Sequence, residues 1–241
     1  MFKINTNMER FMKIYGIEKV SLVDFDGHIC CTLFTCGCNF RCPYCHNAGL
    51  VLGHDLKEIS EEDIFSHLSR RRAMIDSVCI SGGEPTINPD LPEFIKKIKA
   101  LGFLVKLDTN GTNPKMLEYL IDNHLVDAVA MDIKSSKEGY LNACGADDKK
   151  TQNVAASVEI LMKKCKNYEF RTTLVENLVT EKDVNSMANW LAGAQKMYLQ
   201  KFEDKGGNLE SGLSAISRAA ALKFKAILEK TIPEVHLRGY D

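Results

Sequence analysis

The sequence predicts an α/β chain built as a partial (β/α)6 barrel, entered through an N-terminal hairpin and followed by a C-terminal helical extension. Three observations carry this. Between residues 28 and 200 short apolar runs alternate with amphipathic stretches of 10 to 16 residues, the pattern of right-handed βαβ crossovers over a parallel sheet. Six such runs are present in 241 residues, whereas a closed eight-unit barrel typically uses about 250, so the units fit without closing. The residues that invite chemistry fall just after the runs, where parallel α/β folds bind their ligands.

The elements follow in order. Ile14 to Val23 and His28 to Phe34 read as two strands joined by an Asp26-Gly27 turn. Ser60, followed by Glu61, Glu62 and Asp63, caps a helix that runs to about Arg72, and Val78 to Ser81 is a short strand. Asp90 starts a helix through Ala100 that Gly102 ends, before a strand from Phe103 to Leu107. Asn113-Pro114 opens a helix to about His124, with proline in the first turn, and Ala128 to Ile133 is the strand behind it. Thr151 to Lys166 and Thr180 to Ala192 read as helices, Tyr168 to Leu174 and Lys196 to Gln200 as strands. Beyond Phe202, Glu203 to Ser211 is a polar loop, Gly212 to Lys230 a helix and Val235 to Arg238 a last short strand. Residues 1–27, 28–200 and 201–241 are expected to form one domain, as hairpin region, barrel core and extension.

Composition narrows the function classes. At 45% hydrophobic and 26% charged the chain has an ordinary globular balance. A net charge of −1 gives no field for nucleic acid or an anionic membrane, so neither is an expected partner. The uncharged runs are too short to span a bilayer and Met1 to Arg10 lacks an apolar signal core, which makes the cytoplasm the expected compartment. Nine cysteines, an odd and scattered set, do not form a disulfide framework and suit reducing surroundings.

The stretch from Cys38 to Asn47 organises the rest. Cys38, Cys42 and Cys45 stand at C-x3-C-x2-C spacing, and thiolates so close in sequence wrap soft metal, either zinc or an iron–sulfur cluster. Structural zinc wants four ligands, commonly as two separated pairs, and no second pair follows downstream. Three thiolates on a four-iron cubane leave one iron open to a small molecule.

This loop resembles that of the radical S-adenosylmethionine (SAM) enzymes. The wider stretch Ser21 to Gly27 and Leu33 to Asn47, with Ser81 to Pro85, Asp108 to Gly111, Met131 to Lys134 and Leu237 to Gly239, is similar more narrowly to the activating proteins of anaerobic ribonucleoside-triphosphate reductase. The resemblance implies a radical SAM barrel, a [4Fe–4S] cluster on Cys38, Cys42 and Cys45, and SAM on the open iron. Two positions depart from the family: Asp26 replaces the usual proline, a change read as neutral within a turn, and Cys36 replaces a non-cysteine, read as a bystander thiol.

At the strand ends, the paired glycines Gly82 and Gly83 admit close backbone approach by a ligand, and the resemblance gives Gly82, Gly83 and Glu84 the amino group of SAM. It likewise assigns Asp108, Asp132 and Lys134 to the SAM site. Arg171 and Gln200 match positions that reach SAM in related activases. Family members also hold a monovalent cation near such aspartates, which makes one a candidate here. By its position in that family Tyr44 offers its ring for stacking on adenine, and the resemblance brings the backbone beside Asn47 to adenine as well; His46 is expected to pack rather than ligate. An ordinary turn at Gly82-Gly83 and solvated strand ends at Asp108 and Lys134 are the plain alternatives.

The implied activity is reductive cleavage of SAM at the cluster, after which a 5′-deoxyadenosyl radical takes a Cα hydrogen from a glycine of a partner, the anaerobic reductase. A flavodoxin- or ferredoxin-type donor would supply the electron. Without a second cysteine-rich insertion, the extra clusters of some other activases are not expected. The alternatives are activation of a different glycyl radical enzyme, radical chemistry on a small molecule such as that of a deazapurine-forming synthase, and a zinc-binding module without chemistry.

Overall fold

The computed structural model describes residues 12–53 and 56–240; the expectation for Met1 to Arg10 lies outside them. One eight-stranded sheet runs in sequence order: β1 (Ile14–Ser21), β2 (Cys30–Thr35), β3 (Ser77–Gly82), β4 (Leu104–Thr109), β5 (Ala128–Asp132), β6 (Tyr168–Leu174), β7 (Lys196–Lys201) and β8 (Glu234–Arg238). β1 is antiparallel to β2, and every later strand is parallel to its predecessor. β1 and β8 are the two edges, so the barrel is open, as the count of units requires.

The helices are α1 (Ala48–Leu52), α2 (Glu61–Arg71), α3 (Leu91–Ala100), α4 (Pro114–Asp122), α5 (Tyr140–Cys144), α6 (Asp148–Lys164), α7 (Glu181–Trp190) and α8 (Arg218–Leu228). Their starts follow local chemistry. Ser60 accepts the Asp63 N–H (3.1 Å), Asn113 accepts that of Met116 (3.2 Å), and Thr180 with Asp183 closes a reciprocal capping box. The amphipathic faces bury Ile64 and Leu68 from α2, Phe94, Ile95 and Ile98 from α3, and Val154, Val158 and Leu161 from α6 against the outside of the sheet.

Four expectations are corrected. α6 starts at Asp148 rather than Thr151, because the Asp147 carboxylate accepts the Lys150 N–H (2.8 Å) and caps it earlier. The last helix starts at Arg218, not Gly212: Ser214 to Ile216 stay extended, with Glu176 donating to Ser214 O (2.9 Å) and Ile216 to Leu174 O (3.4 Å), and Ser217 is the cap. β8 pairs with β7 from Lys196↔Glu234 to Gln200↔Arg238, so the last short strand joins the sheet as a seventh parallel strand beyond the six counted. The first two strands end at Ser21 and begin at Cys30, and Asp26-Gly27 turns within a longer connection, residues 22–29.

That connection has work to do at the N-terminal end of the barrel. Phe25 is buried with Cys30, Cys79 and Ala128, the Asp24 carbonyl accepts from Lys106 Nζ (2.5 Å), and Thr32 Oγ1 donates to Asp24 Oδ2 (2.6 Å). Asp26, read as a neutral change, instead accepts the Tyr198 hydroxyl (2.8 Å) and faces Arg238 Nη2 (3.8 Å). It thereby ties the β1–β2 connection to β7 and β8 at the open side.

Candidate active site

Strand alternation decides what the barrel interior contains. Successive side chains point to opposite faces, so Cys31 and Leu33, Val78 and Ile80, Val105 and Leu107 go to the buried core, while Ser81, Asp108, Asp132, Arg171, Thr173 and Gln200 reach one cavity at the carboxyl ends of the strands. The cavity has a volume of ≈ 390 Å³ and its remaining lining includes Cys38, Cys42, Tyr44, Cys45, His46, Asn47, Gly82, Gly83, Lys134 and Asp24. Such a volume is in the range of small-molecule sites.

Thirteen of the fourteen residues singled out in the sequence therefore meet here, the three cysteines among them. Glu84 is the exception. Its side chain is completely buried, Oε1 accepts from the Thr86 backbone N–H (3.0 Å), the Thr86 hydroxyl and Thr109 Oγ1 (2.7 Å), and Oε2 accepts the Asn110 N–H (2.6 Å). Its carboxylate is committed to neighbouring strand ends and does not line the cavity.

The glycines are explained differently from the sequence expectation. A Cβ on Gly82 would lie 2.4 Å from Thr35 N and O, and one on Gly83 would lie 1.9 Å from Gly37 O. The body that approaches Gly83 is the peptide just before Cys38, fixed by the bond from Glu84 N–H to Gly37 O (2.8 Å). Both glycines also face the cavity, so their lack of side chains serves the cluster loop as well as any ligand.

The acids and bases form a linked set. Arg171 Nε donates to Asp132 Oδ1 (2.9 Å) and its Nη1 to Asp108 Oδ2 (3.2 Å); Lys134 Nζ donates to Asp132 Oδ2 (2.9 Å). Ser81 Oγ donates to Asp108 Oδ2 (3.0 Å), and Lys106 Nζ stands 3.3 Å from Asp108 Oδ1 and 3.7 Å from Glu169 Oε1. Burial pushes the Asp132 carboxyl up, but Arg171 and then Lys134 more than offset this and bring it to about 2. Asp108 is lowered too: burial opposes, and Arg171 and Lys106 prevail. Arg171 bridges the two aspartates, and Lys106 beside Asp108 and Lys134 beside Asp132 complete the pairing of their charge.

The cluster loop has its own neighbours. Burial pushes the Cys38 thiol up to about 11 and raises that of Cys45. Cys42 is lowered, chiefly by its neighbour Cys144, a buried thiol on α5 that donates to Tyr140 O (3.2 Å) and that the sequence reading leaves without a role. Cys36 Sγ donates to Leu50 O (3.0 Å) and stays off the cavity wall, and His46 stacks on Phe202 at 5.9 Å between centroids. The Tyr44 hydroxyl is buried with no hydrogen-bond partner, and Lys134 Nζ lies 5.8 Å from its ring centre. Among the described residues no three His, Cys, Asp or Glu side chains are placed to hold a single metal ion.

Lys106, Glu169, Asn110 and Cys144 are what sequence reasoning missed. For the first two a signal exists: Val105-Lys106-Leu107-Asp108 and Tyr168-Glu169-Phe170-Arg171 alternate charged residues with apolar or aromatic ones inside strands, the mark of a polar inner face.

Comparison with known proteins gives three further findings. The model of the Radical SAM superfamily matches residues 32–191. A protein of Methanocaldococcus jannaschii, named as a candidate glycyl-radical enzyme activating enzyme, is 36% identical over 80% of each chain, and the pyruvate formate-lyase-activating enzyme of Clostridium pasteurianum is 33% identical over 53% of this chain and 55% of its own. Among solved structures, a radical SAM methyltransferase from Sphaerobacter thermophilus superposes with a TM-score of 0.67 at 15% identity, over 86% of this chain and 66% of that one, a likeness of fold.

Proposed function

We propose a function from one premise, that the chain belongs to the radical SAM superfamily and is an enzyme of its glycyl-radical-enzyme activating type: it installs a glycyl radical on anaerobic ribonucleoside-triphosphate reductase. The observation that carries the reading is the meeting of Cys38, Cys42 and Cys45 with Gly82, Gly83 and the Asp108–Asp132–Lys134–Arg171 set on one cavity.

The residues fit a [4Fe–4S] cluster and SAM on two counts. Three thiols reach one cavity and leave a coordination position for a small molecule, and the ≈ 390 Å³ beside them, lined by carboxylate and cationic side chains, is of small-molecule size. Cys38, Cys42 and Cys45 would hold the cluster. When bound, the reduced cluster and SAM supply a one-electron cleavage of the sulfonium that yields methionine and a 5′-deoxyadenosyl radical.

The chain's own residues supply placement. Asp132, kept ionised by Arg171 and Lys134, and Asp108 offer acceptors to the cationic parts of SAM, while Lys134 and Arg171 offer donors to its carboxylate. Gly82 and Gly83 line the cavity without side chains, which leaves room for the amino group. Tyr44, His46 and Asn47 border the adenine end, and Gln200 adds an amide at the rim.

The gap between β1 and β8 leaves a side entrance for a partner loop, and glycine suits it because nothing on its Cα blocks abstraction. No helix among the described residues is long and apolar enough to cross a membrane, and we place the chain in a reducing cytoplasm with a flavodoxin or ferredoxin as donor, without nucleic acid or membrane as partner.

The test is electron paramagnetic resonance on anaerobically reduced protein mixed with SAM and the reductase. A glycyl doublet on the reductase supports the assignment. SAM cleavage without a doublet there moves the activity to another glycyl radical enzyme or to a small molecule.

A further inference from the structure

Asn110 sits behind the cluster loop in a ring of hydrogen bonds whose direction is fixed. The Thr112 backbone N–H donates to Asn110 Oδ1 (3.0 Å). A backbone N–H can only donate, so the Asn110 amide is oriented with its oxygen toward Thr112 and its nitrogen away. That nitrogen donates to Asn39 Oδ1 (2.9 Å) and lies 3.8 Å from Cys38 Sγ, within range of an N–H···S bond. The remaining contacts close the ring: Thr112 Oγ1 donates to Asn110 Oδ1 (2.7 Å) and accepts from Asn39 Nδ2 (2.7 Å). Asn110 is itself buried, and its backbone N–H is held by the Glu84 carboxylate at 2.6 Å.

We infer that Asn110 is a positioning residue that sets the reduction potential of the cluster, by donating its side-chain N–H to Cys38 Sγ from a ring anchored on Glu84 and Thr112. The inference rests on the cluster reading above and deepens it. Hydrogen bonds to cluster sulfur withdraw charge from the thiolate and stabilise the reduced state. Phe40 N–H, 3.4 Å from the same sulfur, is a backbone donor that substitution cannot remove; the Asn110 amide is the adjustable one. The arrangement also gives Glu84 a purpose that its burial would otherwise leave open. It holds the strand end from which Asn110 reaches the loop, rather than meeting a ligand itself.

The test is a redox titration of the reconstituted protein, followed by the electron paramagnetic resonance signal of the reduced cluster, alongside iron and sulfide per chain. Asn110→Asp keeps the size and the acceptor for Thr112 but turns an oxygen toward Cys38. Asn110→Ala removes the group, and Thr112→Val takes the hydroxyl out of the ring, with its contacts to Asn110 Oδ1 and Asn39 Nδ2, while the Thr112 N–H still orients the amide. With full iron content, Asn110→Ala and Asn110→Asp should show a ratio of reduced to oxidised cluster at least threefold lower than wild type at a fixed poise, tenfold corresponding to about 59 mV for one electron. Thr112→Val should fall between them and wild type. Full cluster content with an unchanged potential in Asn110→Ala and Asn110→Asp would overturn the assignment, as would loss of iron in all three variants, which would make the ring a structural prop only. If wild type itself binds no cluster after reconstitution, the proposed function fails at its base, and that result is distinct from either of the others.

Discussion

Gly83→Ala separates two accounts of the same glycine. An added Cβ would lie 1.9 Å from Gly37 O and 2.6 Å from Gly37 C, and restoring a contact of about 3.4 Å requires the two segments to part by roughly 1.5 Å. Overpacking of that kind costs about 1–3 kcal/mol, and the Glu84 N–H to Gly37 O bond (2.8 Å) is lost with it, a further ~1 kcal/mol. The sum, about 2–4 kcal/mol, corresponds to a fall in melting temperature of roughly 4–16 °C for a chain of this size. The displaced backbone is the one that leads into Cys38, so iron per chain should fall together with SAM affinity. If the glycine served ligand approach alone, SAM affinity would fall with iron content and stability intact. The assay is an anaerobic thermal melt with iron analysis, and Gly49→Ala is the control, since nothing lies within 4 Å of its added Cβ and alanine is the better helix former. A Gly83→Ala protein that melts within about 2 °C of wild type and carries full iron would refute the close-approach account.

Three other outcomes follow from the site and its supports. Alanine at Cys38, Cys42 or Cys45 should abolish the broad absorbance near ~400 nm after reconstitution, whereas Cys79→Ala and Cys165→Ala, both off the cavity wall, should keep it; survival of the band in Cys38→Ala would mean the ligand set is wrong. The Asp132 carboxyl, lowered from 3.8 to about 2, contributes stability that is present above its unfolded value and lost as pH falls from about 4 toward 2. At ~1.4 kcal/mol per unit, and discounted for a side chain 30% exposed, this is about 1–2 kcal/mol, which should vanish from the acid limb of the stability curve in Asp132→Asn; an identical acid limb in that variant would contradict the pairing. Asp26→Ala removes the acceptor for Tyr198 and the neighbour of Arg238; a melting temperature lower by about 1–4 °C and faster proteolysis within residues 22–29 are expected, and an unchanged cleavage rate would show that the tie does not hold the connection.

How much of this was legible depends on the range of the interaction. The capping residues Ser60, Asn113 and Thr180 act within one helical turn, and each marks a helix where the sequence places one. The spacing of Cys38, Cys42 and Cys45 is equally local, and the order of later strand ends follows once the crossovers are recognised. Long-range partners behave otherwise. Lys106 and Glu169 show in the sequence only as polar residues within strand-like runs; that they face each other, and that Lys106 reaches the Asp24 carbonyl, is set by the curvature of the sheet. Cys144 reaches Cys42 through α5, a helix too short to carry a periodic signal. Gly83 is legible as a site of close approach, but which body approaches is a tertiary fact, and it is the backbone at Gly37. Asp26 shows the same limit: a turn residue by local reading, its carboxylate is used by strands at the far end of the chain.

The central claim, that this cavity delivers a radical to a partner's glycine, is tested most directly by isotope transfer. The reductase is prepared with deuterium at the Cα of its radical-bearing glycine and incubated anaerobically with the reduced protein and SAM, and the 5′-deoxyadenosine formed is examined by mass spectrometry. Direct abstraction requires one deuterium in that product together with a glycyl radical on the reductase. Unlabelled 5′-deoxyadenosine and no radical on the reductase, with SAM nonetheless cleaved, would contradict the claim.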